Sequence, residues 1–142
     1  MSYPAAKRRG AVTLRTYLVE DSAVIRENLI STLEELAPVQ FVGSAVDEPA
    51  ALAWLALNAQ DCDLLLIDIF LKRGSGLVVL RDAARNHRLC KVVLSNYATD
   101  EMRAQCLSLG AQRVFDKSNE IEALIEYCAL VDREAAAPAQ VR

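Results

Sequence analysis

The sequence predicts an α/β fold, a parallel β-sheet covered by helices on both faces. Three observations predict it. Five short apolar, β-prone runs alternate with five segments whose apolar residues recur at helical spacing. The third run, Leu64-Leu65-Leu66-Ile67, is apolar without a break and too short for a helix, as in a strand buried on both faces. The chain, at 142 residues, has the size of one domain rather than two.

The first strand is predicted over residues 14–19, an apolar stretch. The first helix follows over 22–36, where Val24, Ile25, Leu29, Leu33 and Leu36 share helical spacing and Pro38 marks the exit. Residues 39–43 are again strand-like. Asp47-Glu48-Pro49 opens the second helix, with an acid at the N-cap and an early proline. That helix carries Leu52, Trp54 and Leu55. After the third strand, Gly74-Ser75-Gly76 leads into a helix with Leu77, Val78, Leu80 and Ala84. Residues 91–94 form the fourth strand. Thr99-Asp100-Glu101 caps a helix to Leu109, and Gly110 ends it, as glycine past a helix end commonly does. Residues 112–115 form the fifth strand. Ser118 is expected to cap the last helix, with Ile121, Leu124, Ile125 and Cys128 inward.

Residues 1–13, which include Lys7-Arg8-Arg9, are expected to be a flexible arm, and the Ala/Pro-rich residues 132–142 a flexible tail. The folded domain is then 14–131. Right-handed crossovers leave few topologies, and the doubly wound (βα)5, flavodoxin-like order 2-1-3-4-5 is the common one at this size. In such sheets the ligand site lies beyond the carboxyl ends of the strands.

Composition removes several functions. The net charge of -3 argues against general nucleic-acid binding, which needs a basic face. No apolar run reaches the roughly 18 residues that span a membrane, and Lys7-Arg8-Arg9 is followed by no signal-peptide core, so a cytoplasmic location is expected. Cys62, Cys90, Cys106 and Cys128 show no zinc or redox spacing and read as small buried or half-buried residues of a reducing compartment. The single histidine, His87, lies in a polar stretch and reads as solvated.

The strand ends carry the chemistry. Strand 1 ends in Glu20-Asp21, strand 3 in Asp68, strand 4 in Ser95 and strand 5 in Asp116-Lys117. Three carboxylates converging on one point repel one another and need a cation, and hard oxygen donors favour Mg²⁺. A lysine aimed at the same place suits a phosphate oxygen, and a hydroxyl can serve another. Each part alone has an ordinary explanation: Asp21 or Ser22 as a helix N-cap, a loop acid, a solvated lysine, a tight Gly74–Gly76 turn. Together, in order on the strand ends, they read as a phosphoryl-transfer site.

These segments resemble the receiver domains of response regulators in bacterial two-component systems. Leu18-Val19-Glu20-Asp21-Ser22 is similar to their opening. Leu64-Leu65-Leu66-Ile67-Asp68-Ile69, with a glycine eight residues after the aspartate, is similar to their phosphoacceptor segment. Val92-Val93-Leu94-Ser95 resembles their fourth strand, and Gly110-Ala111 with Phe115-Asp116-Lys117 their final signature. The resemblance implies that Asp68 takes the phosphoryl group, that Glu20, Asp21, Asp68 and the backbone carbonyl of Phe70 hold Mg²⁺, that Lys117 pairs with the phosphoryl group and that Ser95 bonds it and carries the switch. It implies a phosphoacceptor signalling domain rather than an enzyme acting on other substrates. A histidine kinase or histidine phosphotransferase would be the donor and a protein target the output, with no direct DNA contact and no membrane. The family's usual surface for dimerisation and output is the helix 4–strand 5–helix 5 face; a homodimer through it is left open.

Three positions depart from the pattern. Val114 stands where receivers usually carry the aromatic of the switch, beside Phe115, which is expected to face the core. Ser118 replaces a proline after the lysine. Lys72, followed by Arg73, replaces a proline four residues after Asp68. Phe70 and Tyr97 occupy the two positions that influence how water reaches the phosphoryl group, and are expected to shield it. With no second domain after 131, a stand-alone receiver is expected. The rivals are a degenerate receiver acting as a phosphorylation-independent binding module, or the receiver fragment of a longer regulator. A hydrolase with an aspartate nucleophile would place it after strand 1 with a second aspartate two residues on. A flavodoxin-type binder would want a phosphate-cradling loop where Glu20-Asp21 stands.

Overall fold

The structure, a computed structural model, describes residues 13–136. It is a five-stranded parallel sheet in the order β2-β1-β3-β4-β5. The strands are β1 (Leu14–Val19), β2 (Val39–Ala45), β3 (Leu64–Asp68), β4 (Cys90–Ser95) and β5 (Arg113–Asp116). The helices are α1 (Ala23–Leu36), α2 (Glu48–Asn58), α3 (Gly76–Ala83), α4 (Asp100–Ser108) and α5 (Ile121–Ala136), with one short 3₁₀ turn, Ala59–Asp61. Neighbouring strands are parallel throughout. The expected fold class and strand order are those observed.

Period-2 alternation divides the interior into two layers. Leu64 and Leu66 of β3, Val92 and Leu94 of β4, and Phe115 of β5 pack with Leu29 and Leu33 of α1 and Leu124 and Cys128 of α5. Leu65, Ile67, Val93 and Val114 point the other way, against Leu55 of α2, Leu80 of α3 and Cys106 of α4. β3, central in the sheet, is buried along its whole length. Val114 and Phe115 therefore face opposite layers, and Phe115 is a core residue of the α1/α5 side, only 1% exposed. Of the apolar residues at helical spacing in α1, Val24 and Leu36 are exposed, and the fully buried stripe is Leu29 and Leu33.

Helix starts follow local chemistry. Ser22 Oγ accepts the N–H of Ile25, Asp47 Oδ1 that of Ala50, and Thr99 Oγ1 that of Met102. Ser118 does not cap the last helix. Asp116 Oδ1 accepts the N–H groups of Ser118 and Asn119, an aspartate turn that takes up the loop donors, and α5 begins at Ile121. Residues 132–136, expected to belong to the flexible tail, are helical instead. α5 continues through Ala136 with Asp132 buried, and Ala135 and Ala136 are strong helix formers. The arm, apart from Thr13, and the tail from 137 lie outside the described residues.

Cys62, Cys106 and Cys128 are buried and Cys90 partly so. Burial pushes the Cys62 and Cys128 thiols up to about 12, which leaves them unreactive. His87 is exposed. Among the described residues no helix is long and apolar enough to cross a membrane.

Gly76 opens α3 where no side chain fits. A Cβ there would collide with the carbonyl oxygen of Asp68 and lie 2.7 Å from the Cα of Ile69. Gly76 N–H in turn donates to the Ile69 carbonyl at 2.9 Å. Gly76→Ala must push this backbone apart, at an expected cost of about 1–3 kcal/mol in urea unfolding. A variant as stable as the parent would show that the close approach is not needed.

Candidate functional site

Four of the expected residues meet at the carboxyl end of the sheet. Glu20 and Asp21 follow β1, Asp68 closes β3, and Lys117 follows β5. One carboxylate oxygen from each of Glu20, Asp21 and Asp68 lies within 4.8 Å of the others. The Lys117 ammonium is 2.6 Å from Glu20 Oε1 and 3.2 Å from Asp68 Oδ2. All three of these side chains are nearly closed off from solvent, at 8% exposure for Lys117, 2% for Glu20 and 9% for Asp68.

Backbone donors fix the carboxylates. Ser22 N–H donates to Glu20 Oε2, Lys72 N–H to Asp21 Oδ2 at 2.7 Å, and Phe70 N–H to Asp68 Oδ1. The β3–α3 loop is thus held to the β1–α1 loop through Asp21. It is held to α2 as well. Glu48 Oε1 accepts the Ser75 N–H at 2.9 Å, and Glu48 N–H donates to the Arg73 carbonyl. Sequence reading gave Glu48 no role beyond helix entry; its partner is 27 residues away, beyond any local spacing rule.

Burial raises the Asp68 carboxyl from 3.8 to about 6, with the nearby Glu20 adding to the rise and Lys117 opposing it. Burial works against the Lys117 ammonium, but the Glu20 hydrogen bond and the Asp68 charge outweigh it and raise its pKa. At neutral pH Asp68 is therefore a carboxylate and Lys117 a cation. A buried cluster of hard oxygen donors, with more negative than positive charge, fits Mg²⁺.

Ser95, at the end of β4, is fully buried, and its hydroxyl oxygen accepts the Tyr97 N–H. Asp68 pairs in register with Leu94, next to Ser95. Lys117 N–H donates to the Ser95 carbonyl at 3.0 Å, which ties the last two strand ends together. The rings of Phe70 and Tyr97 are exposed, at 51% and 67%, and meet edge-on with centroids 5.5 Å apart. Phe115 does not join them; its ring lies in the core with Tyr127, 5.8 Å between centroids.

The model of the response regulator receiver domain matches residues 16–129. The chain belongs to this family. Receiver domains work in two-component signalling with histidine kinases or phosphotransfer proteins. Among curated proteins, this receiver is 31% identical over 116 residues to a protein-glutamate methylesterase/protein-glutamine glutaminase of Anaeromyxobacter dehalogenans, covering 80% of this chain and 32% of that one. It is 24% identical over 110 residues to the transcriptional regulatory protein YdfI of Bacillus subtilis, covering 78% and 51%. The chain spans about a third of the length of the methylesterase relatives. Solved structures share the fold. The receiver domain of the Francisella response regulator 1452 superposes with a TM-score of 0.75 at 18% identity, covering 87% of this chain and 99% of that one. The response regulator domain of Thermotoga maritima CheB gives 0.72 at 18% identity, covering 89% and 100%.

Proposed function

We propose that this receiver accepts a phosphoryl group on Asp68 from a histidine kinase or histidine phosphotransferase, in a Mg²⁺-dependent reaction, and signals through phosphorylation-dependent protein contacts. The observation that carries this reading is the meeting of Asp68 with Lys117 inside a carboxylate cluster, at the sheet edge where ligands of such folds bind. Glu20, Asp21, Asp68 and the Phe70 carbonyl would hold the metal, which supplies positive charge to the phosphoryl oxygens.

An Asp68 oxygen attacks phosphorus, the bond from phosphorus to the donor's imidazole nitrogen breaks, and that nitrogen keeps the electron pair. The nucleophile is ionised at neutral pH, so no base is needed. Lys117 donates to one phosphoryl oxygen. The Ser95 hydroxyl proton, not used in the bond from Tyr97, donates to another. Such a transfer asks for positioning and charge neutralisation more than for covalent chemistry. Incubation with Mg²⁺ and a small-molecule phosphodonor should give a phosphate-dependent mobility shift that chelator abolishes. A folded, Mg²⁺-binding protein that shows no shift and does not respond to beryllofluoride would instead be the phosphorylation-independent binding module.

Phe70 and Tyr97 stand two residues past Asp68 and Ser95, and their exposed rings meet each other. They limit the approach of water, so the Phe70→Ala, Tyr97→Ala double variant should lose its phosphate about tenfold faster. A half-life equal to the parent's, followed by phosphate release after donor removal, would overturn this shielding role.

A second reading concerns context. Because the chain covers only about a third of its methylesterase relatives, it also fits the receiver part of a longer regulator, with output through a joined domain. The mass of the protein in its native cells separates the two.

A further inference from the structure

Arg103, on α4, lies outside the phosphoacceptor cluster yet bonds to three separate parts of its frame. Its Nε donates to the Ala98 carbonyl at 3.1 Å, in the loop that follows Ser95 and Tyr97. Its Nη1 donates to the Val114 carbonyl at 2.8 Å, on the edge strand β5. Its Nη2 donates to Glu120 Oε1 at 2.9 Å.

Glu120 passes this contact on. The same Oε1 accepts the Asp116 N–H at 2.7 Å, and Glu120 N–H donates to the Asp116 carbonyl. Asp116 and Glu120 are the two ends of the turn that carries Lys117. The Arg103 hydrogen bond also holds the Glu120 carboxyl below the usual carboxylate range. One planar guanidinium thus spans the Ser95 loop, the open edge of β5 and the Lys117 turn. Its planar fork gives each of the three acceptors a donor nitrogen of its own, where a lysine has a single nitrogen.

We infer that Arg103 is a positioning residue that acts through Glu120 to hold the Lys117 turn in register with the Ser95 loop. The inference rests on the phosphoacceptor reading above and adds a residue to it. A loosened turn lets the Lys117 ammonium leave its place between Glu20 and Asp68, and small misplacements of a charge-neutralising group slow transfer steeply.

The test uses Arg103→Gln, Arg103→Lys and Glu120→Gln, singly and with the first and last combined. Two readouts are taken: phosphorylation rate with a small phosphodonor and Mg²⁺, and the NMR signal of the Lys117 ammonium in the unphosphorylated protein. The expected result is a rate about tenfold lower in Arg103→Gln, with a shifted or broadened Lys117 signal. The double variant should be no slower than the worse single one, since both act along one path. Arg103→Lys keeps the charge and stem but cannot reach all three acceptors. It should fold and still be slowed, so misfolding of the glutamine variant does not end the test. A parental rate and unshifted Lys117 signal in folded Arg103→Lys overturns the inference, as does strict additivity with Glu120→Gln. If the parent itself takes no phosphoryl group, the functional reading fails, and the Lys117 signal still decides the role of Arg103.

Discussion

Asp68→Asn should take up no phosphoryl group and yet unfold less readily than the parent at neutral pH. The first half follows from removing the nucleophile. The second follows from the raised carboxyl. In the unfolded chain Asp68 titrates near 3.8, in the folded protein near 6, because burial disfavours its charge. The folded state therefore binds the proton more tightly. The stability linked to that proton is fully present below about pH 4 and is lost as pH rises through 6. At pH 7 the buried charge costs about 3 kcal/mol, the equivalent of that rise. Asparagine, neutral at every pH, avoids it. Urea unfolding in chelator should show the variant about 2–3 kcal/mol more stable at pH 7, with the difference vanishing near pH 4. A variant less stable than the parent at pH 7 would mean that the Asp68 charge is fully compensated. Mg²⁺ should stabilise the parent by binding the folded state and so narrow the gap.

Lys117→Met should have the opposite effect on stability. It leaves Glu20 and Asp68 buried and facing each other without their shared cation. Removing one partner of a buried ionic cluster costs about 3–5 kcal/mol. Phosphorylation should fall about 10²- to 10³-fold, as when a preorganised charge is removed from an active site. Millimolar Mg²⁺ should restore much of the lost stability, since it supplies the missing positive charge to the same carboxylates. Unfolding curves with and without Mg²⁺ check this. Equal losses in both would show that the carboxylates do not bind the ion.

Much of this site is legible in the chain because each part follows an apolar strand. Glu20, Asp68, Ser95 and Lys117 interrupt hydrophobic runs at points where a parallel sheet must end, and the sheet brings those ends together. The caps Ser22, Asp47 and Thr99 are legible for a similar reason, as their partners lie three residues on. What sequence does not reveal is pairing at a distance. The Lys117–Glu20 contact spans 97 residues, Lys72–Asp21 spans 51 and Arg103–Glu120 spans 17 across a strand. No periodicity connects such residues. Ser118 misled because Asp116 closes a turn over the N–H groups of Ser118 and Asn119, so the helix starts only at Ile121, and the Ser118 hydroxyl bonds Asn96 instead. Val114 is visible as a departure from the family pattern, but only the structure shows that its carbonyl anchors Arg103.

The most direct test is to locate the phosphoryl group. The protein would be phosphorylated with a small phosphodonor and Mg²⁺, its acyl phosphate reduced with borohydride, and the product mapped by peptide mass spectrometry. Reduction converts a phosphorylated aspartate to homoserine. That conversion is expected at Asp68 alone, with none when chelator is present during phosphorylation. Conversion at another carboxylate, or none at all in a folded protein that binds Mg²⁺, would contradict phosphoryl transfer to Asp68.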